Sequence, residues 1–380
     1  MVYFGNMRYL TPFLLKDLER KMVLIAGPRQ CGKTTLAKSL DPLNSAYYNW
    51  DIFKHKKIIK EMAWPKDASL VILDELHKLP KWKNYLKGAV DEFKNKPPLL
   101  VTGSARLDAF RKTGDALTGR FFYYRLHPID LAESKLFLPK QSAETRANRL
   151  LMAGGFPEAF LNPKDVDRLR NDRFELVARE DLLDISKVAA YRSLTYLIEL
   201  LRERVGKAIS YGGLSQDLGV SPPTVKSWVE WLERLYIVFQ IRPLAHNSAT
   251  SIRKETRMFF YDCGAATDDS GGGALENMVA CTLLKQVQLK IDSTGQNWNL
   301  YYLRDKQKRE VDFAITHNKQ VTHLIEVKSS DTNLSPSLRY YHQRLRPLNS
   351  LQLVLKFDEK LEKDGVKIIP LIPWLEEFRI

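Results

Sequence analysis

The sequence predicts an α/β protein founded on a parallel sheet, and three observations carry that reading. An apolar run, Met22-Val-Leu-Ile-Ala26, leads into a glycine-bounded loop and then into a helical pattern. A second apolar run, Leu70 to Leu73, ends in paired carboxylates, Asp74 and Glu75. A third, Pro98-Leu-Leu-Val-Thr-Gly103, follows another helical stretch. Near-continuous apolar runs suit central parallel strands covered on both faces. Their alternation with helical stretches fits a doubly wound sheet.

The loop after the first strand is the strongest chemical signal. Gly27-Pro28-Arg29-Gln30-Cys31-Gly32-Lys33-Thr34-Thr35 has the spacing of a phosphate-binding loop between strand and helix. Its glycines permit tight backbone geometry, and its N–H groups turn toward an anion. Lys33 would reach the β- and γ-phosphates of ATP, and the Thr34 hydroxyl would hold Mg²⁺. At the end of the second strand, Asp74 would hold the same ion through water, and Glu75 would polarise the attacking water. Ser104 follows the third strand, where a polar side chain contacts the γ-phosphate or the nucleophile. Arg120 is of the type that stabilises charge on a transferring phosphoryl group, in its own subunit or a neighbour.

Composition narrows the class. A chain of 380 residues has room for two or three domains. Its formal charge of +14 suits a polyanionic partner, with nucleic acid first, or simply a well-solvated lysine surface. Cys31, Cys263 and Cys281 form no CxxC pair, so no zinc signature exists, and a reducing cytoplasm is expected. No apolar run of roughly 18 residues is present, so no membrane span is expected, and the N-terminus shows no signal-peptide run.

The motifs GPRQ-x-GKTT, LDELHKLP, TGSAR and LTGR-F are together similar to one group of bacterial and archaeal AAA+ ATPases, over nearly the whole chain. In that group an AAA+ module joins a C-terminal domain long described as of unknown function. The resemblance implies a nucleotide-binding homo-oligomer, such as a ring or hexamer, with Ser104 as sensor-1 and Arg120 as arginine-finger candidate. Arg8 matches an arginine usual before the first helix, with no role evident from sequence. His77 stands where many relatives carry glutamine. The leucine-rich stretch after residue 143, including Gly154-Gly-Phe-Pro-Glu158, corresponds to a helical lid. Arg173 or Arg179 would serve there as a phosphate contact or, more plainly, in a surface salt bridge.

Beyond the lid, Leu214–Leu218, a turn at Gly219, and a helix capped by Ser221 follow helix-turn-helix grammar. Thr224, Lys226 and Ser227 would face outward toward DNA. A strand from Ile237 to Pro243 would begin a wing. A protein-binding or spacer role fits the same pattern, because Glu230 and Glu233 share the exposed side.

The last block combines a helix carrying Glu276 with two strands, Glu310–Ile315 and Thr322–Lys328, joined by a turn near His317. Glu326 and Lys328 are two apart on a strand and share a face. Asp312 comes alongside through the hairpin. The pattern resembles the PD-(D/E)xK nuclease superfamily. That resemblance implies Mg²⁺ or Mn²⁺ at Asp312, Glu326 and Glu276, with Lys328 positioning water or stabilising developing charge. Two surface strands of ordinary alternation are the bland alternative.

The expected division is an AAA+ core at 1–142, a helical lid and connector at 143–208, a winged-helix-like segment at 209–255, and a restriction-endonuclease-like α/β domain at 256–380. The expected function is an ATPase that binds or remodels DNA, branched DNA included, and cleaves it as an endonuclease. The alternative is a nucleotide-gated switch or binding ATPase whose nuclease-like domain is inactive.

Overall fold

The computed structural model describes residues 8–103, 117, 119–181, 188–244, 256–266 and 272–380; the side chains of 177–191 lie outside that description. The chain divides into two compact units. One comprises residues up to 128 with 234–236, and the other 129–233 with 237–380.

In the first unit, β1 (Met22–Ala26), β2 (Ser45–Asn49), β3 (Leu70–Asp74), β4 (Leu99–Thr102) and β5 (Phe121–Arg125) form a parallel sheet in the order β2-β3-β4-β1-β5. β1, β3 and β4 are buried at every position, as their unbroken apolar runs require. Helices α1 (Thr11–Leu18), α2 (Lys33–Ser39), α3 (Phe53–Glu61) and α4 (Trp82–Phe93) accompany it. On one side Trp64, Trp82, Leu86 and Ala89 pack with Leu24, Val71, Leu73 and Val101 of the sheet. Because all strands run in parallel, the loop after β1 and the carboxylates ending β3 meet at one edge of the sheet. The strand order reverses beside β1, where such sheets open a ligand crevice.

The second unit begins with helices α5 (Leu131–Phe137), α6 (Ala143–Ala153), α7 (Pro157–Leu161), α8 (Val166–Asp181) and α9 (Val188–Arg202). Strand β6 (Ala208–Ile209), helices α10 (Tyr211–Leu218) and α11 (Pro222–Arg234), and strands β7 (Val238–Pro243) and β8 (Thr256–Phe260) follow. Ser221 accepts from the Thr224 N–H at 3.3 Å, and Val225, Trp228, Val229 and Leu232 turn the inner face of α11 inward. Lys226 is exposed.

The C-terminal part comprises α12 (Gly272–Thr294), β9 (Trp298–Arg304), β10 (Glu310–His317), β11 (Gln320–Lys328), α13 (Pro336–Leu345), β12 (Asn349–Val354), β13 (Leu361–Lys363), β14 (Val366–Pro370) and α14 (Leu371–Glu377). β10 and β11 form the expected antiparallel hairpin, with Phe313 paired to Ile325. The sheet does not stop at β9. Through a short parallel pairing of Arg242 and Pro243 with Tyr301 and Tyr302, it continues into β7, β8 and β6. The strands on either side of the 255/256 boundary read from sequence are therefore hydrogen-bonded neighbours, Val238 with Phe260 and Ile241 with Arg257.

Two buried ion clusters fasten the helices of this unit. Lys285 of α12, only 2 % exposed, places Nζ 2.9 Å from Asp130 and 2.6 Å from Glu133 at the start of α5. Arg170 and Arg173 of α8 both reach Asp262, at 3.1 and 2.7 Å. Burial drives the Asp262 carboxyl upward, but the two guanidinium groups outweigh it and hold the carboxyl below its ordinary range. Arg173 also lies over the Phe156 ring at 3.5 Å. Arg173 thus makes the salt bridge that the plainer reading expected, with a partly buried guanidinium. The side chain of Arg179 lies outside the described residues.

Candidate functional site

At the edge of the parallel sheet, the loop from Gly27 to Gly32 wraps the Lys33 side chain. Lys33 is buried, and its Nζ donates to the carbonyls of Gly27 at 3.0 Å and Pro28 at 2.6 Å. Gly27 has φ 145°, and a Cβ there would lie 2.3 Å from the Leu126 carbonyl oxygen, so only glycine fits. Gln30 and Gly32 also have positive φ, which curls the loop back on itself. Arg29, Cys31 and Thr35 complete the segment; Cys31 is buried and donates through Sγ to Leu126 O at 3.6 Å.

The structure supplies a role for Arg8. Its guanidinium is buried and donates to Cys31 O at 3.0 Å and to His127 O at 2.7 Å. One side chain thereby moors the phosphate-binding loop to the chain leaving β5. Arg8→Ala is expected to lower the stability of this unit by about 2–4 kcal/mol, the worth of two charge-assisted hydrogen bonds with a desolvation penalty left behind. It is also expected to weaken nucleotide binding. Thermal unfolding together with titration of a fluorescent ATP analogue measures both, and an unchanged affinity would remove the mooring role.

Asp74 is the most fully engaged carboxylate of the site. Its Oδ2 accepts from Thr34 Oγ1 at 2.8 Å and from the Tyr47 hydroxyl at 2.8 Å. Its Oδ1 accepts from Thr102 Oγ1 and from the Glu75 N–H. Thr34 and Asp74 are the two groups expected around Mg²⁺, and they stand in direct contact, so the residues fit that ion. When bound there, the cation would neutralise phosphate charge. Tyr47 and Thr102 were not anticipated; Thr102 ends an apolar strand, the same signal used for Ser104, whereas Tyr47 lies in the middle of β2, where nothing in the sequence marked it. Ser104 itself lies outside the described residues.

Glu75 follows at φ 55°, ψ 25°, an uncommon conformation for a residue with a side chain. Burial raises the Glu75 carboxyl above its usual range, against the opposing pull of Lys78 and Lys33. Its Oε2 lies 3.7 Å from His77 Nε2 and 3.6 Å from Lys78 Nζ. His77 is thus a buried neighbour of the carboxylate.

Arg120 precedes β5 and pairs with Asp91 of α4 at 3.0 Å. Phe121 lies opposite Met22, whereas Arg125 lies opposite Ala26 beside the loop. Arg120 is therefore at the far end of the strands from its own phosphate-binding loop.

In the second unit, Glu276, Asp312, Glu326 and Lys328 converge on one cavity of about 610 Å³. Asn277 accepts from Phe260 N–H at 2.8 Å and donates to Asp262 O at 3.2 Å, which locks the start of α12 to β8 and aims the neighbouring Glu276 at the cavity. Asp312 Oδ2 accepts from the Val327 N–H at 2.9 Å. Lys328 Nζ is 2.8 Å from Glu326 Oε1, while Glu326 Oε2 is buried without a hydrogen-bond partner. Burial, reinforced by the Asp312 charge, pushes the Glu276 carboxyl up to about 8 and that of Glu326 up to about 7.

Sequence reasoning missed Arg257. It is 6 % exposed and lies 3.2 Å from Asp312 and 3.7 Å from Glu276, and it also pairs with Glu310. Arg304 contacts the other oxygen of Glu310 at 3.4 Å. With this guanidinium among them, the carboxylates do not fit a divalent ion. Among the described residues no group of three His, Cys, Asp or Glu side chains is placed to hold one. Arg257 sat in the sequence Arg253-Lys-Glu-Thr-Arg257, where nothing marked one basic residue over another.

Backbone also closes on the cavity. Gly206 has φ 75°, and a Cβ there would lie 2.4 Å from Glu276 Oε2. Gly206→Ala is expected to displace the Glu276 carboxylate and destabilise this unit by roughly 1–3 kcal/mol. Calorimetry checks it, and an unchanged melting temperature would mean that the close approach is absent.

The parallel sheet, the phosphate-binding loop and the strand-end carboxylates together give the first unit the arrangement of a P-loop ATPase. Residues 19–135 match the family described as "AAA domain". Residues 144–270 match "Domain of unknown function (DUF8612)", and residues 271–374 match "Domain of unknown function (DUF4143)". Uncharacterized proteins of Mycobacterium tuberculosis and Mycobacterium bovis are each 23 % identical over 250 residues, covering 64 % of this chain and 54 % of their own. The chain thus spans about half the length of these curated relatives. Among solved structures, a Walker-type ATPase of Pyrococcus abyssi aligns with a TM-score of 0.43 and 15 % identity, over 70 % of this chain and 95 % of that one. The replication initiator DnaA, bound to AMPPCP and single-stranded DNA, aligns with a TM-score of 0.33 and 14 % identity, over 61 % of this chain and 90 % of that one. No helix among the described residues is long and apolar enough to cross a membrane.

Proposed function

We propose that this chain is a nucleotide-driven switch that hydrolyses ATP in its first unit and engages DNA through its second. The observation that carries the ATPase half is the contact of Thr34 with Asp74 beside the buried Lys33, with Glu75 following at a positive φ. Support for DNA comes from the formal charge of +14 and from the α10–α11 pair followed by the β7–β8 hairpin, a winged-helix order with Lys226 exposed. Arg120 acts in this reading on a neighbouring subunit of a ring, since its own loop is at the other end of the sheet. Ser104, outside the described residues, keeps in this reading the phosphate-sensing role its sequence position suggests.

The test is steady-state ATP turnover with single-stranded, duplex and four-way-junction DNA across a salt series. The expected result is stimulation by at least one DNA that fades as salt rises, because phosphate contacts release counterions. Turnover indifferent to all three would remove DNA from the proposal.

A second reading, phosphodiester cleavage in the cavity once Arg257 has left the carboxylates, is favoured by the convergence of Glu276, Asp312, Glu326 and Lys328. Incubation of the same DNAs with Mg²⁺ or Mn²⁺ tests it. Absence of cleavage, or cleavage unaffected by Lys328→Ala, would end it.

A further inference from the structure

The acidic cavity already contains a cation, supplied by the chain. Arg257 Nη1 lies within 3.2 Å of Asp312 Oδ1 and 3.7 Å of Glu276 Oε2, so a single nitrogen stands between two of the carboxylates expected to bind metal. Nη2 is held by Glu310, and the guanidinium carbon lies 5.0 Å from the centre of the Tyr302 ring. The remaining oxygens are spoken for in turn. Asp312 Oδ2 accepts from Val327, and Glu326 Oε1 faces Lys328, which leaves Glu326 Oε2 buried and open. Mg²⁺ or Mn²⁺ needs only one or two carboxylates with water completing its shell, but the positive guanidinium stands where the ion would have to approach Asp312 and Glu276.

Arg257 does not belong to the hairpin that carries Asp312 and Glu326. It is held on β8, whose partners at that position are Ala208 of β6 and Ile241 of β7. Those strands flank the α10–α11 helix pair. We infer that Arg257 is an internal counter-ion occupying the place of a divalent metal, so that Glu276, Asp312 and Glu326 bind Mn²⁺ or Mg²⁺ only when Arg257 is withdrawn. The inference rests on the nuclease-like reading of the cavity but concerns metal binding alone, and it stands or falls whether or not DNA is cut.

The experiment is a Mn²⁺ titration of the nucleotide-free full-length chain, followed by the electron paramagnetic resonance signal of free Mn²⁺. Wild type, Arg257→Met, and each of these with Asp312→Asn are compared, so that only Asp312-dependent binding is counted. The expected result is that Arg257→Met gains one Asp312-dependent site, at least ~10-fold tighter than any in wild type. Should Arg257→Met fail to fold, Arg257→Met with Glu310→Gln removes the cation together with an acid outside the expected metal set, and the same gain is expected. Equal Asp312-dependent affinity in wild type and variant would overturn the inference. So would a folded variant that gains no such site, since Arg257 would then be a structural neutraliser only.

Discussion

Glu75→Gln is expected to bind ATP about as well as the native chain and to hydrolyse it roughly 10²–10³-fold more slowly, the cost of removing a positioned general base or an electrostatic group from a phosphoryl-transfer site. The amide keeps the volume and the local fold but cannot accept a proton. Its neighbours are undisturbed, because Asp74 is held by Thr34, Tyr47 and Thr102 independently of the Glu75 side chain. Lys33→Ala is expected to act earlier, on nucleotide binding itself, since the ammonium is the cation inside the loop. Equilibrium binding of a slowly hydrolysed analogue, set against multiple-turnover rates, separates the two. Turnover at the native rate in Glu75→Gln would show that the water is activated elsewhere.

The largest expected loss of stability follows Lys285→Ala. Its ammonium is buried between Asp130 and Glu133, and its removal strands two carboxylates without their partner. Breaking such a buried pair costs about 3–5 kcal/mol. For a unit of this size that corresponds to a fall of roughly 6–20 °C in melting temperature. Because α12 carries both Lys285 and Glu276, the variant should also loosen the acidic cavity, while the first unit keeps its own transition. Lys285→Met with Asp130→Asn and Glu133→Gln should recover most of the loss, as the stranded charges are gone. Calorimetry resolves the outcome, and a wild-type melting profile for Lys285→Ala would mean that these carboxylates are solvated.

The parallel sheet, its phosphate-binding loop and the Asp74–Glu75 pair were legible because each is a local pattern. Apolar runs name buried strands, glycines name the loop, and carboxylates at a strand end name the ligand edge. The β10–β11 hairpin was legible for the same reason, through its alternation and turn. Less local features escaped. β5 was not read from the sequence, and β12 to β14 lack a chemical marker. The role of Arg8 depends on His127, far along the chain, and the pairing of Arg173 depends on Asp262.

Periodicity and short-range spacing by themselves were enough to identify an ATP-binding α/β unit and to name four side chains that meet in a second cavity. What that cavity can hold was decided by tertiary structure. A strand pairing of Ile241 with Arg257, and of Ala208 with Arg257, brings a guanidinium from another segment among the carboxylates. The order of residues in a chain does not encode which distant charge fills a buried space. Electrostatic balance there is set by every group within a few ångströms, whatever its place in the sequence.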